Sequence, residues 1–122
     1  MSEGLEDVPA RLRPAVRVTL EHVGVPDSHL AVVELDPTGM RELNLEHRGI
    51  DSPTDVLSFP IDPDGDAPGP RELGDVFVCE EECEDLDEAV VHGVLHLLGY
   101  DHENDDGEML ATQDEITGAL RG

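Results

Sequence analysis

His92-Gly93-Val94-Leu95-His96-Leu97-Leu98-Gly99-Tyr100-Asp101-His102 is the stretch around which the chain is organised. His92 and His96 stand four residues apart, so on a helix both imidazoles project from one face. Gly99 offers the left-handed position that commonly stops a helix, and the chain can turn back there. His102 follows the turn and can swing toward the other two. One histidine on an apolar helix is usually a satisfied core residue. Two on one face of an aliphatic helix are both taken from water, and each needs partners. With a third just past the glycine, three neutral imidazoles can surround one ion and leave its fourth position open, as in a catalytic zinc site. The expected metal ligands are therefore His92, His96 and His102, holding one zinc ion; three histidines also suit nickel or copper. Asp101 stands where a carboxylate can hold a ligand imidazole in one tautomer, or simply make a turn. In the zinc-protease signature H-E-x-x-H the residue after the first histidine is the general base. Here it is Gly93, so the chemistry rests on the metal, with Asp101 and Glu103 as candidate proton carriers.

Upstream, Asp85-Leu86-Asp87-Glu88 fits a capping box. The helix it opens, from about Leu86 to Leu98, is apolar nearly all round, which predicts burial on most sides. Downstream, residues 103–108 open a last helix with an Asp105/Glu108 capping pair, and Met109, Leu110, Ile116 and Leu120 are expected to pack it on the domain. Residues 9–23 form a first helix, with Leu12, Val16, Leu20 and Val23 on one stripe and Pro14 tolerated in the first regular turn. Residues 30–35, Leu30-Ala31-Val32-Val33-Glu34-Leu35, read as a strand whose nearly continuous apolar character predicts a central place in the sheet. Asp36-Pro37 starts a helix with a stripe of Met40, Leu43 and His47, closed by Gly49. Thr54 to Phe59 and Leu73 to Cys79 are strands, and residues 62–70 a loop. His22 and His29 read as exposed bystanders. The expected fold is α+β in a single domain, residues 1–122. A small mixed sheet of three or four strands packs on helices, and a central buried helix carries two metal-ligand histidines.

The chain has 122 residues, 38% hydrophobic and 2% aromatic, so its core must come from Val, Leu, Ile and Ala. No apolar run approaches the length of a membrane span, and residues 1–7 are acidic with no hydrophobic signal segment. A cytoplasmic protein is expected. Thirty acids face seven bases, all arginine, for a net charge of −23. Such a balance argues against nucleic-acid binding through net charge, though a few arginines in one groove can act locally. Cys79 and Cys83 are too few for a disulfide framework; Cys79 reads as a strand-end core residue rather than half of a metal-binding pair.

The quoted stretch resembles the signature of the YbeY family of bacterial metal-dependent endoribonucleases, H-G-x-L-H-L-x-G-Y-D-H. Leu43-Asn44, Arg48-Gly49 and Pro53-Thr54-Asp55-Val56-Leu57-Ser58-Phe59-Pro60 resemble a second family block, and Leu73-Gly74-Asp75-Val76 a third, all in the family's order. The resemblance implies that His92, His96 and His102 hold the metal, usually zinc. It implies that Arg48 lies beside the active site and clamps a phosphate; read alone, Arg48 is a surface charge at a helix end. It further implies action in ribosomal RNA processing, notably at the small-subunit RNA 3′ end, and in ribosome quality control. The partners would be precursor ribosomal RNA and the small subunit. Two features depart from the family: residues 1–8 do not read as its usual first strand, and only Glu80 to Glu88 fills the place of a longer helical segment. Behind the zinc-dependent single-strand endoribonuclease stand two other readings, a metalloprotease-like zinc hydrolase and a non-enzymatic, zinc-stabilised ribosome-associated factor.

Overall fold

A computed structural model of the chain describes residues 5–25, 27–61, 72–100 and 106–121. His102, Asp101, Glu103, the expected loop at 62–70 and the Asp105 cap lie outside the described residues. A 3₁₀ turn, Ala10–Leu12, leads into α1 (Arg13–Val23); β1 (His29–Glu34), α2 (Pro37–Arg48), β2 (Val56–Pro60), β3 (Glu72–Val78), α3 (Leu86–Leu97) and α4 (Glu108–Arg121) follow. The sheet order among the described residues is β1-β3-β2, with β1 parallel and β2 antiparallel to β3. This is the α+β fold with a small mixed sheet that the pattern of the sequence predicts.

The sheet has different helices on its two faces. Leu57 pairs with Phe77 and packs with Met40 of α2 in a small core that includes Cys79. The alternate residues Val56, Ser58 and Val76 face α3, because successive strand side chains point to opposite faces. Behind α3, α1 and α4 complete the larger core with Leu12, Val16, Leu20, Met109 and Ile116. Val90, Val91, Val94 and Leu95 of α3 are all fully buried, each contributing about 1.5–3 kcal/mol of transfer free energy. The central buried helix is thus present, and past its first turn only the half-buried His92 and His96 escape full burial.

One position in the sheet departs from expectation. β1 is an edge strand, and the centre is β3. The apolar run of β1 is buried only at alternate positions, Leu30 and Val32, while Val33 is 38% exposed. β3 takes the centre despite Gly74-Asp75, and a register shift at His29/Leu30 accommodates it. Gly74 has φ +133°, and a Cβ there would meet Phe59 O at 2.2 Å, so only glycine fits. The free edge of β1 is met by the N-terminal segment: Val32 N–H donates to Asp7 O at 3.0 Å. Arg13 Nε donates to both Leu5 O and Val8 O. Residues 5–8 are not a strand, as expected, yet Leu5 and Val8 are buried.

The predicted helix caps hold locally. Asp36 accepts from Gly39 N–H at 2.7 Å, and Asp85 from Glu88 N–H at 3.1 Å. Tyr100 N–H reaches Leu95 O and Gly99 sits at φ +96°, the left-handed stop expected after α3. In α4, Leu110 is 50% exposed, and the buried stripe is Met109, Gln113, Ile116 and Thr117 instead. In α2 the buried positions are Met40 and Asn44, and His47 lies exposed with its ring against Phe59.

Asp85 does two jobs, capping α3 and pairing with Arg121 at the end of α4. Asp85→Ala is expected to lower unfolding free energy by about 1 kcal/mol through the lost cap. Arg121→Ala, which removes only a half-exposed ion pair, should cost well under that in urea titrations.

Candidate metal centre

Helical spacing puts Glu88, His92 and His96 on one line of α3. The two imidazoles meet edge to face, ring centres 4.7 Å apart, with Nε2 of one 3.1 Å from Nε2 of the other. His92 Nδ1 lies 2.7 Å from Gln113 Oε1 on α4, and Gln113 Nε2 donates to Glu88 Oε1 at 3.3 Å. Because a carboxylate can only accept, the carboxamide nitrogen faces Glu88 and its oxygen faces His92. His92 Nδ1 is then the donor, and its Nε2 carries the lone pair aimed at His96. Two imidazole nitrogens so close require a proton or a cation between them. For metal–nitrogen bonds of about 2.0–2.1 Å, a 3.1 Å nitrogen separation corresponds to an angle of about 100° at zinc, near tetrahedral. The pair therefore fits two positions of such a site. Among the described residues no third His, Cys, Asp or Glu completes it.

Gly93 explains how the helix comes to lie where it does. A Cβ at that position would stand 2.7 Å from Val76 Cγ1 and 2.9 Å from Val56 Cγ2. Ser58 Oγ donates to Gly93 O at 2.8 Å. The bare backbone thus sits directly on β2 and β3. The residue after the first histidine points into the sheet, where a general base would have neither room nor access to the histidine pair.

A cavity of about 390 Å³ opens beside His92. Asp55, Glu82, Glu84, Asp85 and Glu88 line it together with Cys83 and Gln113. Five carboxylates in one concavity attract cations and repel a bare phosphate.

A family model described as Endoribonuclease YbeY matches residues 5–121. The chain belongs to the YbeY endoribonuclease family. The YbeY endoribonuclease of Persephonella marina is 38% identical, over 90% of this chain and 82% of that protein. That of a Bradyrhizobium species is 43% identical, over 94% of this chain and 78% of that protein. A solution structure of a Thermotoga maritima protein matches with a TM-score of 0.56 at 31% identity, covering 98% of this chain and 82% of that one.

In this YbeY-family chain the structure brings His92 and His96 together, whereas His102 and Asp101 lie outside the described residues. Arg48 is exposed at the C-terminal end of α2, across the sheet from α3, and is not among the residues lining the cavity. His22 pairs with Glu115 and His29 with Glu72, both away from the centre. Gln113 is the residue that sequence reasoning missed. The available signal was a carboxamide on the α4 stripe between Met109 and Ile116, where an apolar side chain belongs. The short acidic stretch before α3 forms a 3₁₀ turn, Glu80–Glu82, rather than a longer helix.

Cys79, expected as the last residue of the strand, is buried just past the end of β3, and Cys83 Sγ donates to Cys79 O. Burial raises the Cys79 pKa, while burial and then the Asp55 charge push Cys83 up to about 11. Both thiols are therefore protonated at neutral pH, which opposes metal ligation. Two measurements follow. At pH 8 Cys83 should carry about a hundredth of the thiolate of an ordinary cysteine and alkylate correspondingly slowly, its rate climbing until pH is about 11. Gly93→Ala should cost about 1–3 kcal/mol by overpacking, and Val76→Ala in the same chain should recover part of that loss by removing the contacted methyl.

Proposed function

We propose that this chain is a zinc-dependent, single-strand endoribonuclease acting in ribosomal RNA maturation at the small-subunit RNA 3′ end and in ribosome quality control. It would work in the cytoplasm, in contact with the small subunit. The observation that carries the reading is the facing Nε2 pair of His92 and His96 in a chain of the YbeY endoribonuclease family. His92, His96 and His102 would hold the ion. Zinc, when bound, supplies Lewis acidity and lowers the pKa of a coordinated water to about 7. The acidic cavity beside His92 favours cation capture. The exposed Arg48 guanidinium, at the end of α2, would take a phosphate oxygen of the bound strand at a distance from the ion. Gly93, pressed on the sheet, speaks against peptide hydrolysis by an H-E-x-x-H mechanism.

The five carboxylates near His92 favour one second reading, a ribosome-associated factor in which zinc chiefly stabilises the fold. Cleavage of a precursor ribosomal RNA by purified protein separates the two. Arg48→Ala is expected to lower cleavage by about 10–100-fold, through weaker RNA binding, with metal content unchanged. His96→Ala should lose metal and cleavage together. The second reading instead predicts no cleavage by the intact protein and a lower melting temperature for His102→Ala.

A further inference from the structure

We propose that Gln113 is a positioning residue of the metal centre: its carboxamide oxygen holds His92 in the Nδ1–H tautomer, turning the Nε2 lone pair toward a divalent cation, while Glu88 keeps the carboxamide that way round. The proposal rests on the reading of His92 as a metal ligand and extends that site to a second helix. Gln113 is only 7% exposed and lies on the α4 stripe with Met109 and Ile116, both fully buried. A carboxamide is costly there unless both its ends are bonded. Both are, the oxygen to His92 Nδ1 at 2.7 Å and the nitrogen to Glu88 Oε1 at 3.3 Å. Glu88 and His92 are one turn apart on α3, so the carboxamide of α4 bridges two successive positions of the helix that carries the histidine pair. An imidazole whose Nδ1–H is engaged presents Nε2 to a metal in one orientation, and it need not give up a rotational or tautomeric choice when the ion arrives. This contact makes α4 part of the centre as well as of the core.

The test reads the His92 ring by long-range proton–nitrogen NMR in metal-free protein, and Zn²⁺ affinity by competition with a chromophoric chelator. The chains compared are wild type, Gln113→Ala, His92→Ala and the exchange Glu88→Gln with Gln113→Glu. Wild type should show the Nδ1–H tautomer. Gln113→Ala should show a mixture and bind Zn²⁺ about 10–100-fold more weakly. The exchange keeps a donor at 88 and an acceptor toward His92, so it should restore the tautomer and most of the affinity, which a purely space-filling role would not require. A wild-type tautomer or wild-type affinity in Gln113→Ala, with His92→Ala impaired, overturns the proposal alone. So does an exchange variant no better than Gln113→Ala. Wild-type affinity in His92→Ala overturns the ligand reading itself, and the proposal with it.

Discussion

The contact on which the molecule depends is the one between Gly93 and the sheet. Where most helices rest on a sheet through side chains, α3 touches Val56 and Val76 with its backbone and receives a hydrogen bond from Ser58. That contact fixes both the height and the rotation of α3. With Gly93 turned inward and Val90, Val94 and Leu97 buried beside it, the line of Glu88, His92 and His96 is left facing out. The candidate ligands therefore stand on the most deeply packed element of the fold, where rotamers and backbone are both constrained. α4 then closes over one side of that line and brings Gln113 to it.

Much of this was legible in the sequence because the signals were local. The Asp36 and Asp85 caps, the glycine stop at Gly99 and the aliphatic run of α3 each follow from a few neighbouring residues, and each is found in the structure. What was not legible depends on residues far apart in the chain. An apolar strand reads as central whether its neighbours cover it or not. β1 lies at the edge because β3 supplies the pairing and a short N-terminal segment meets its other side. Leu110 resembles a core leucine by type, yet the helix phase set by Met109 and Ile116 turns it to solvent. Gln113 is illegible for the converse reason: its partners are 21 and 25 residues away. The facing histidine pair was legible, since four-residue spacing is itself a helical contact.

Charge is distributed more economically than a net −23 suggests. The acidic run from Glu80 precedes α3, where the helix dipole favours it. Arg11 spans Glu34 and Glu80, Arg121 holds Asp85, Arg41 lies near Asp51 and Arg13 is spent on backbone carbonyls. Most of the few cations are thus committed to holding elements together. Their scarcity makes the exposed Arg48 conspicuous as a group that can still meet an anion from solvent.

The order β1-β3-β2 also bears on how the chain comes together as it is made. The two edge strands are synthesised first, and neither pairs with the other; the strand that joins them arrives only at residues 72–78. Until then β1 and β2 have no sheet to enter, and their backbone groups remain with water. Long-range parallel pairing carries a loop-closure cost before it is rewarded, so this sheet is a late event by topology. α3 follows within a few residues and needs the finished surface of Val56, Ser58 and Val76 to dock. A nascent chain that has reached only residue 71 therefore holds both edge strands without the strand that joins them, and the histidine pair gains its setting in the same closing step that completes the core.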